Sequence, residues 1–476
     1  MIALLAQIAD DKDLRKINKA EATAWLDMTD TTIVHPLALV IFLIAAIWLF
    51  AGPRGKMSWS VLMIACLISV AQRFSVLSLD FDFIRAIGAL GLIRLLFYGE
   101  LKDIRPHLAD KLVVGLVVAI VFCSMAREGF NAATQKSGVS LAYFSMYWIG
   151  RSSIRSGHDL RMMMVAIGVL AIPVSIFMTI EQVTGRNNFS IFGGVSVFTA
   201  IRDGKLRAQG SFTHPIIAGV FFACFAPIAI GVILAKVRGL SALLGGWCAL
   251  LLGIVVIFMT NSSTPVAGLL LGVLSWCTFK FRQNLKTYLY AIVFVMIVLH
   301  FVSTHGIHNV IFTKIDFTGS STGMHRYLLI DGMLNHIPNW MIMGDANPGY
   351  NKSFRDVTNM YVVAALTGGM IALVLLIMLV VQGFKSVVRA VRNARSREDL
   401  MTFYGLGCTL VVISISFTAV ACYGEGIINC YMVLGACISI GQLPPGTRRP
   451  QKAPPQATPY RQQAVKKQQQ ARPGLN

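Results

Sequence analysis

The chain has 476 residues, 55% of them hydrophobic and only 13% charged, with a mean hydropathy of +0.65. A soluble domain carries roughly 25% charged residues, so this composition excludes an ordinary water-soluble enzyme. The net charge of +20 arises from 42 Lys and Arg against 22 Asp and Glu. Most of that excess sits in short loops between apolar blocks, which reads as a membrane-topology signal and not as a nucleic-acid surface.

Residues 1–31 are mixed and charged, with Leu4, Leu5, Ile8, Leu14 and Ile17 near helical spacing. They predict an amphipathic segment lying on a membrane surface. Apolar blocks follow at about 33–51, 57–76, 81–98, 111–125, 137–150, 159–180, 214–235, 240–260, 264–279, 285–303, 358–383, 401–422 and 425–442. A helix needs roughly 20 apolar residues to cross the hydrocarbon core. The blocks therefore predict an all-α, polytopic transmembrane bundle of about 12–14 spans over residues 32–442. Block 57–76 contains Gln72 and Arg73 and reads as a shorter or tilted span. The stretch 443–476 is rich in Pro, Gln, Lys and Arg. Such a segment cannot bury a core and is expected to be a disordered basic tail. The nine cysteines fall inside apolar blocks without metal-type spacing and read as packing residues. No metal or cofactor is implied.

The loops alternate in charge. One set holds Arg54 and Lys56; Lys102 and Arg105; Arg151 and Arg155; Lys236 and Arg238; Lys280 and Arg282; and Lys385 through Arg397. The positive-inside rule places this set, and the tail, in the cytoplasm. The two longest loops, about 181–213 and 304–357, then lie outside, and the second forms an external cap.

Three features in or beside the outer loops carry candidate chemistry. The first is Arg207–Ala208–Gln209–Gly210–Ser211–Phe212–Thr213–His214–Pro215. Gly210 permits a tight turn and Pro215 suits a first helical turn. Arg207, Gln209 and His214 would gather near an outward helix N-terminus, where partial positive charge suits an anion. The alternative is a plain helix entry with a snorkelling arginine. The second feature is the loop holding His325, Arg326, Asp331, His336, Asp345 and Asp356. Met324–Asn335 has the period of an amphipathic helix, with His325 and Arg326 on one polar edge. The third is Asp80–Phe81–Asp82 ahead of Arg85 and Arg94. Alternating aspartates can bind a divalent metal, but at i and i+2 they could face one way only on an extended backbone; the alternative is acid residues simply favoured near a helix N-terminus. Arginines inside a membrane usually face a cavity. Glu425, at the outer start of the last block, is a possible partner.

In these residues the chain resembles the O-antigen ligase and O-antigen/exopolysaccharide polymerase superfamily of bacterial inner membranes. The matching elements are the many spans, the Arg-x-x-Gly-x-Phe-x-x-Pro pattern of Arg207–Pro215, and Ser262–Ser263–Thr264–Pro265 in place of a Ser-Arg-rich turn. A long outer loop led by Arg326 then ends in Asn359–Met360–Tyr361 and Gly368–Gly369. The resemblance covers roughly residues 35–442. It implies a helical bundle that transfers a glycan from undecaprenyl diphosphate to an acceptor sugar at the periplasmic face. It further implies that Arg207 and Arg326 hold the diphosphate, and that a flippase and chain-length regulators act beside the protein. Ligases usually carry His-Asn near the end of the large loop, where this chain has Thr358–Asn359. That departure leans toward the polymerase branch. It leaves Asp356 and His325 first, then His336 and His214, as candidates for the proton acceptor. A ligase, a transporter of lipid-linked glycans and a non-catalytic envelope scaffold are the alternatives.

Overall fold

The computed structural model describes residues 31–76, 79–202, 204–282 and 322–444, together with Phe294 and Val298. The amphipathic segment expected over 1–31, the block at 285–303 and the basic tail lie almost wholly outside the described residues.

The chain is an all-α bundle. In order the helices are α1 (Pro36–Ala51), α2 (Met57–Leu67), α3 (Phe83–Phe97), α4 (Leu108–Glu128), α5 (Phe130–Ser153), α6 (Gly157–Thr184), α7 (Pro215–Leu234), α8 (Leu240–Met259) and α9 (Ser263–Cys277). The cap helices α10 (Thr322–Asn335) and α11 (Ile337–Trp340) follow, then α12 (Met360–Arg392), α13 (Arg397–Ser416) and α14 (Ile428–Gly441). Among the described residues, seven helices are long and apolar enough to cross a membrane. The protein is thus a multi-pass membrane protein.

α7 is apolar all round, and such a helix must be buried on every side. It packs against α6, α8, α9 and α13 at the centre of the bundle. Phe221, Phe222 and Phe225 on α7 and Phe212 just before it form an edge-to-face cluster with ring centroids 5.3–6.2 Å apart. Small residues let backbones meet elsewhere, as bilayer packing requires. A Cβ on Gly150 of α5 would collide with the Met432 carbonyl of α14, and one on Gly435 with the Tyr147 carbonyl of α5.

The charged loops gather at one end. Arg161 pairs with Asp399 at 3.0 Å, and Arg151 bonds Asp110, Gln442 and the Arg105 carbonyl at 2.8–3.2 Å. Arg94 belongs there too. It is 4% exposed, donates to the Leu49 and Gly52 carbonyls at the end of α1, and meets Glu100 at 3.0 Å. It satisfies helix-end carbonyls and a carboxylate instead of facing a cavity.

The opposite end holds the two long loops. Block 57–76 is a shorter helix, one of the two expectations for it: α2 stops at Leu67. Ser69 and Gln72 turn aside to donate to the Gly193 and Phe192 carbonyls at 2.6 and 2.5 Å. Arg73–Val76 then pairs antiparallel with Leu79–Asp82 as β1 and β2. Polar side chains at 69 and 72 find better partners in the 181–213 loop than in a continued apolar helix.

α12 is discontinuous near this end. Gly368 and Gly369 leave helical geometry, Gly369 at φ +67°. The cap fills the gap: Met370 N–H donates to the Met341 carbonyl and Asp345 N–H to the Leu366 carbonyl, each at 2.8 Å. Arg127 adds bonds to the Met343 and Leu366 carbonyls at 2.7 and 3.1 Å. Freed backbone groups are thereby satisfied within the protein, as a membrane demands.

Candidate functional site

Arg207 closes a short hairpin in which β3 (Ala200–Arg202) pairs with β4 (Lys205–Arg207), Ala200 opposite Arg207. The hairpin is stitched to the turn between α8 and α9. Ala208 N–H donates to the Met259 carbonyl at 3.1 Å, and Asn261 Nδ2 to the Leu206 carbonyl at 2.6 Å. Arg207 is 8% exposed. Its Nε donates to the Thr260 carbonyl at 3.4 Å and its Nη2 to Ser262 Oγ at 2.5 Å. Arg326 arrives from the other long loop, on α10, and its Nη2 donates to Thr264 Oγ1 at 2.7 Å. Two guanidinium groups from separate loops thus meet hydroxyls two residues apart on a single turn.

Two buried glutamates fix the segment that carries Arg207. Glu181, in the last turn of α6 and 1% exposed, accepts from Gln209 N–H at 3.1 Å, Gly210 N–H at 2.9 Å and Thr199 Oγ1 at 3.3 Å. Glu425, fully buried ahead of α14, accepts from Thr213 N–H at 3.4 Å and Thr213 Oγ1 at 3.1 Å. Sequence reasoning missed Glu181. Its signal was an acid at the end of a long apolar helix, a costly placement unless the acid is used.

His214 stands just outside α7 as its N-cap. Its Nδ1 accepts from Ile216 N–H at 3.1 Å. Burial, reinforced by the Arg207 charge, pushes the imidazole down to about 4 against the opposing pull of Asp356. The ring is therefore neutral near pH 7 with its hydrogen on Nε2. His214 is a hydrogen-bond donor in this arrangement, which removes it from the proton acceptors. Gln209 contributes its backbone N–H to Glu181; its side chain is half-buried.

Asp356 is exposed and follows the short turn Lys352–Arg355. Its field reaches both His214 and Tyr423, whose phenol burial pushes up to about 12 with further help from Asp356 and Glu425. His325 bonds the Asp356 carbonyl through Nε2 at 3.0 Å. A carbonyl only accepts, so Nε2 carries the hydrogen and Nδ1 is the nitrogen able to take a proton. His336 is occupied otherwise: its Nδ1 bonds the Gly332 carbonyl at 2.8 Å, and its ring lies flat on Tyr350 with centroids 4.3 Å apart. It serves the cap's own packing.

Arg85 is committed to the β1–β2 hairpin. It meets Asp82 at 3.0 Å and the Asp80 carbonyl at 3.0 Å, while Asp82 caps α3 by accepting from Arg85 N–H at 2.7 Å. Asp80 and Asp82 do lie on extended backbone, as alternating ligands would require, but arginines occupy them: Arg73 is 4.0 Å from Asp80. Among the described residues, no three His, Cys, Asp or Glu side chains converge. Asn359 proves to be the N-cap of α12, accepting from Tyr361 and Val362 N–H at 2.9 and 3.2 Å.

The loop end therefore brings Arg207 and Arg326 to one turn, with His214, His325 and Asp356 linked to that group by bond or field. It leaves Arg85 and His336 in structural roles. The chain matches no known family profile and no curated protein.

Proposed function

We propose that the protein polymerises oligosaccharide repeat units carried on undecaprenyl diphosphate into exopolysaccharide or O-antigen, at the periplasmic face of the bacterial inner membrane. The observation that carries this reading is the convergence of Arg207 and Arg326 on the Ser262–Thr264 turn. Paired planar guanidinium groups match phosphate oxygens. The diphosphate gains negative charge as it leaves, and fixed cations in a sheltered site favour that change. In the proposed step an acceptor hydroxyl oxygen bonds to the donor's anomeric carbon. The bond from that carbon to the phosphate oxygen breaks, and its electron pair departs with the lipid diphosphate. The hydroxyl proton passes to Asp356, or to His325 Nδ1. His214 Nε2 supplies a neutral donor to the same group.

Transfer to a lipid or other non-polymer acceptor, the ligase reaction, would use the same clamp. The break in α12 is the observation that favours transport, since transporter sites often lie at broken helices. Here the gap is filled by the cap backbone and Arg127, and Arg94 is spent on a helix end, so the transferase reading is preferred. The test is complementation of a deletion strain with wild type, Arg207→Ala or Arg326→Ala, each verified in the membrane. The expected result is loss of high-molecular-weight polysaccharide while single lipid-linked units accumulate on the outer leaflet. Accumulation on the cytoplasmic leaflet would mean transport. Full restoration of polymer by both variants would remove the diphosphate clamp.

A further inference from the structure

A cavity of about 540 Å³ opens on the cap between the turn at Ala346–Gly349 and the turn Lys352–Arg355. That volume lies within the roughly 300–1,000 Å³ of small-ligand sites. Its walls have a distinct chemistry. Phe354, only 7% exposed, gives the cavity an apolar floor and packs on Tyr350 at 4.9 Å between ring centroids, which in turn stacks on His336. Asn347 brings an exposed amide edge. Lys352 and Arg355 are exposed cations on the lining, and among the described residues neither makes an ion pair. The nearby Asp345 keeps its negative charge while accepting from Tyr350 OH at 2.6 Å and Asn347 N–H at 3.1 Å, and it is not among the residues that line the cavity. Burial and that carboxylate in turn hold the Tyr350 phenol protonated, well above its ordinary range.

We infer that this cavity is the acceptor subsite and that it takes an acidic glycan, one bearing uronate or similar carboxylate groups. The inference rests on the transferase reading, because Asp356, a candidate proton acceptor, directly follows the lining residue Arg355 in the chain. The amide edge reads hydroxyls and the two cations read carboxylates over the apolar floor. The same cations could instead hold the donor's diphosphate, and the test separates the two sources.

The experiment measures binding, apart from turnover, with the full chain in lipid nanodiscs. Probes are a galacturonic acid hexamer, neutral maltohexaose and inorganic pyrophosphate. The variants are Lys352→Ala/Arg355→Ala and Arg207→Ala. The hexuronate should bind at least about tenfold more tightly than maltohexaose and weaken with salt, as contacts to exposed cations do. The double variant should lose that preference while keeping pyrophosphate binding, and Arg207→Ala should show the reverse. Equal affinity for the two hexamers, or hexuronate binding untouched by the double variant, overturns the acidic acceptor. Loss of pyrophosphate binding in the double variant overturns it too, by making the cavity the diphosphate's place. If hexuronate binds as stated while the complementation strains retain full polymer, the diphosphate clamp at Arg207 and Arg326 fails and the glycan site stands; if hexuronate binds while repeat units accumulate on the cytoplasmic leaflet, the transferase reading fails and the cavity is a glycan site without being an acceptor subsite.

Discussion

At Arg207 the arrangement depends on side chains that never touch a substrate. Glu181 holds the Gln209 and Gly210 amides, so removing its carboxylate leaves two buried donors without an acceptor. An unsatisfied buried donor costs about 1–3 kcal/mol. Glu181→Ala should therefore lower the thermal midpoint of the purified protein clearly, while Glu181→Gln, which keeps one acceptor oxygen, should lower it less. Equal midpoints for wild type and Glu181→Ala would show that the carboxylate does not hold the loop. His214 gives a pH signature of its own. Its folded value, about 4, lies below the ordinary 6.5. The unfolded chain therefore binds a proton that the folded one refuses as pH falls. Its contribution is complete above about pH 6.5 and is lost progressively toward pH 4. His214→Asn keeps an N-cap acceptor and should flatten the fall in stability across that window, as unfolding curves at several pH values would report. Arg207, His214, Arg326 and Asp356 were legible as residues because polar side chains stand out in apolar surroundings. Their partners were not. That Ser262 and Thr264 would receive two arginines depends on how separate loops fold back, which no local pattern encodes. Nor could spacing reveal that Arg85 serves Asp82, or that His336 serves Tyr350.

Among the elements, the interrupted α12 joins the cap to the bundle. Gly369 has φ +67°, and a Cβ there would come within 2.5 Å of the Ile342 carbonyl. Strain of this type costs about 1–3 kcal/mol. Gly369→Ala should loosen the cap from the bundle, so that limited proteolysis cuts within 341–359 faster than in wild type while the membrane helices stay intact. Unchanged cleavage would mean that the cap is held elsewhere. The apolar periods placed the helices well, since burial against lipid or protein leaves a pattern twenty residues long. Gln72 and Arg73 marked block 57–76 as short or tilted, but not the cause: α2 ends at Leu67 because Ser69 and Gln72 bond the neighbouring loop. The Gly368–Gly369 pair became a break because a distant strand of cap backbone supplies its hydrogen bonds.

For the whole molecule, the two ends differ in kind. One is laced by Arg94, Arg151, Arg155 and Arg161 with Glu100, Asp103, Asp110 and Asp399. The other gathers the hairpins, the cap and the arginine-bearing turn. Charge asymmetry between loops sets orientation, and in the orientation proposed above the laced end faces the cytoplasm. The all-α class was readable from apolar blocks near the length of a membrane-crossing helix, whereas the proposed chemistry rests on a resemblance, because transferases and transporters of lipid-linked glycans share the same broad demands. The most direct test places the purified protein in liposomes with an undecaprenyl-diphosphate-linked repeat unit and follows both glycan length and free lipid diphosphate. The account predicts a ladder of longer glycans with matching release of lipid diphosphate, abolished by Arg207→Ala and by Arg326→Ala. Movement of intact repeat units between leaflets, with no new glycosidic bond and no diphosphate released, would contradict it.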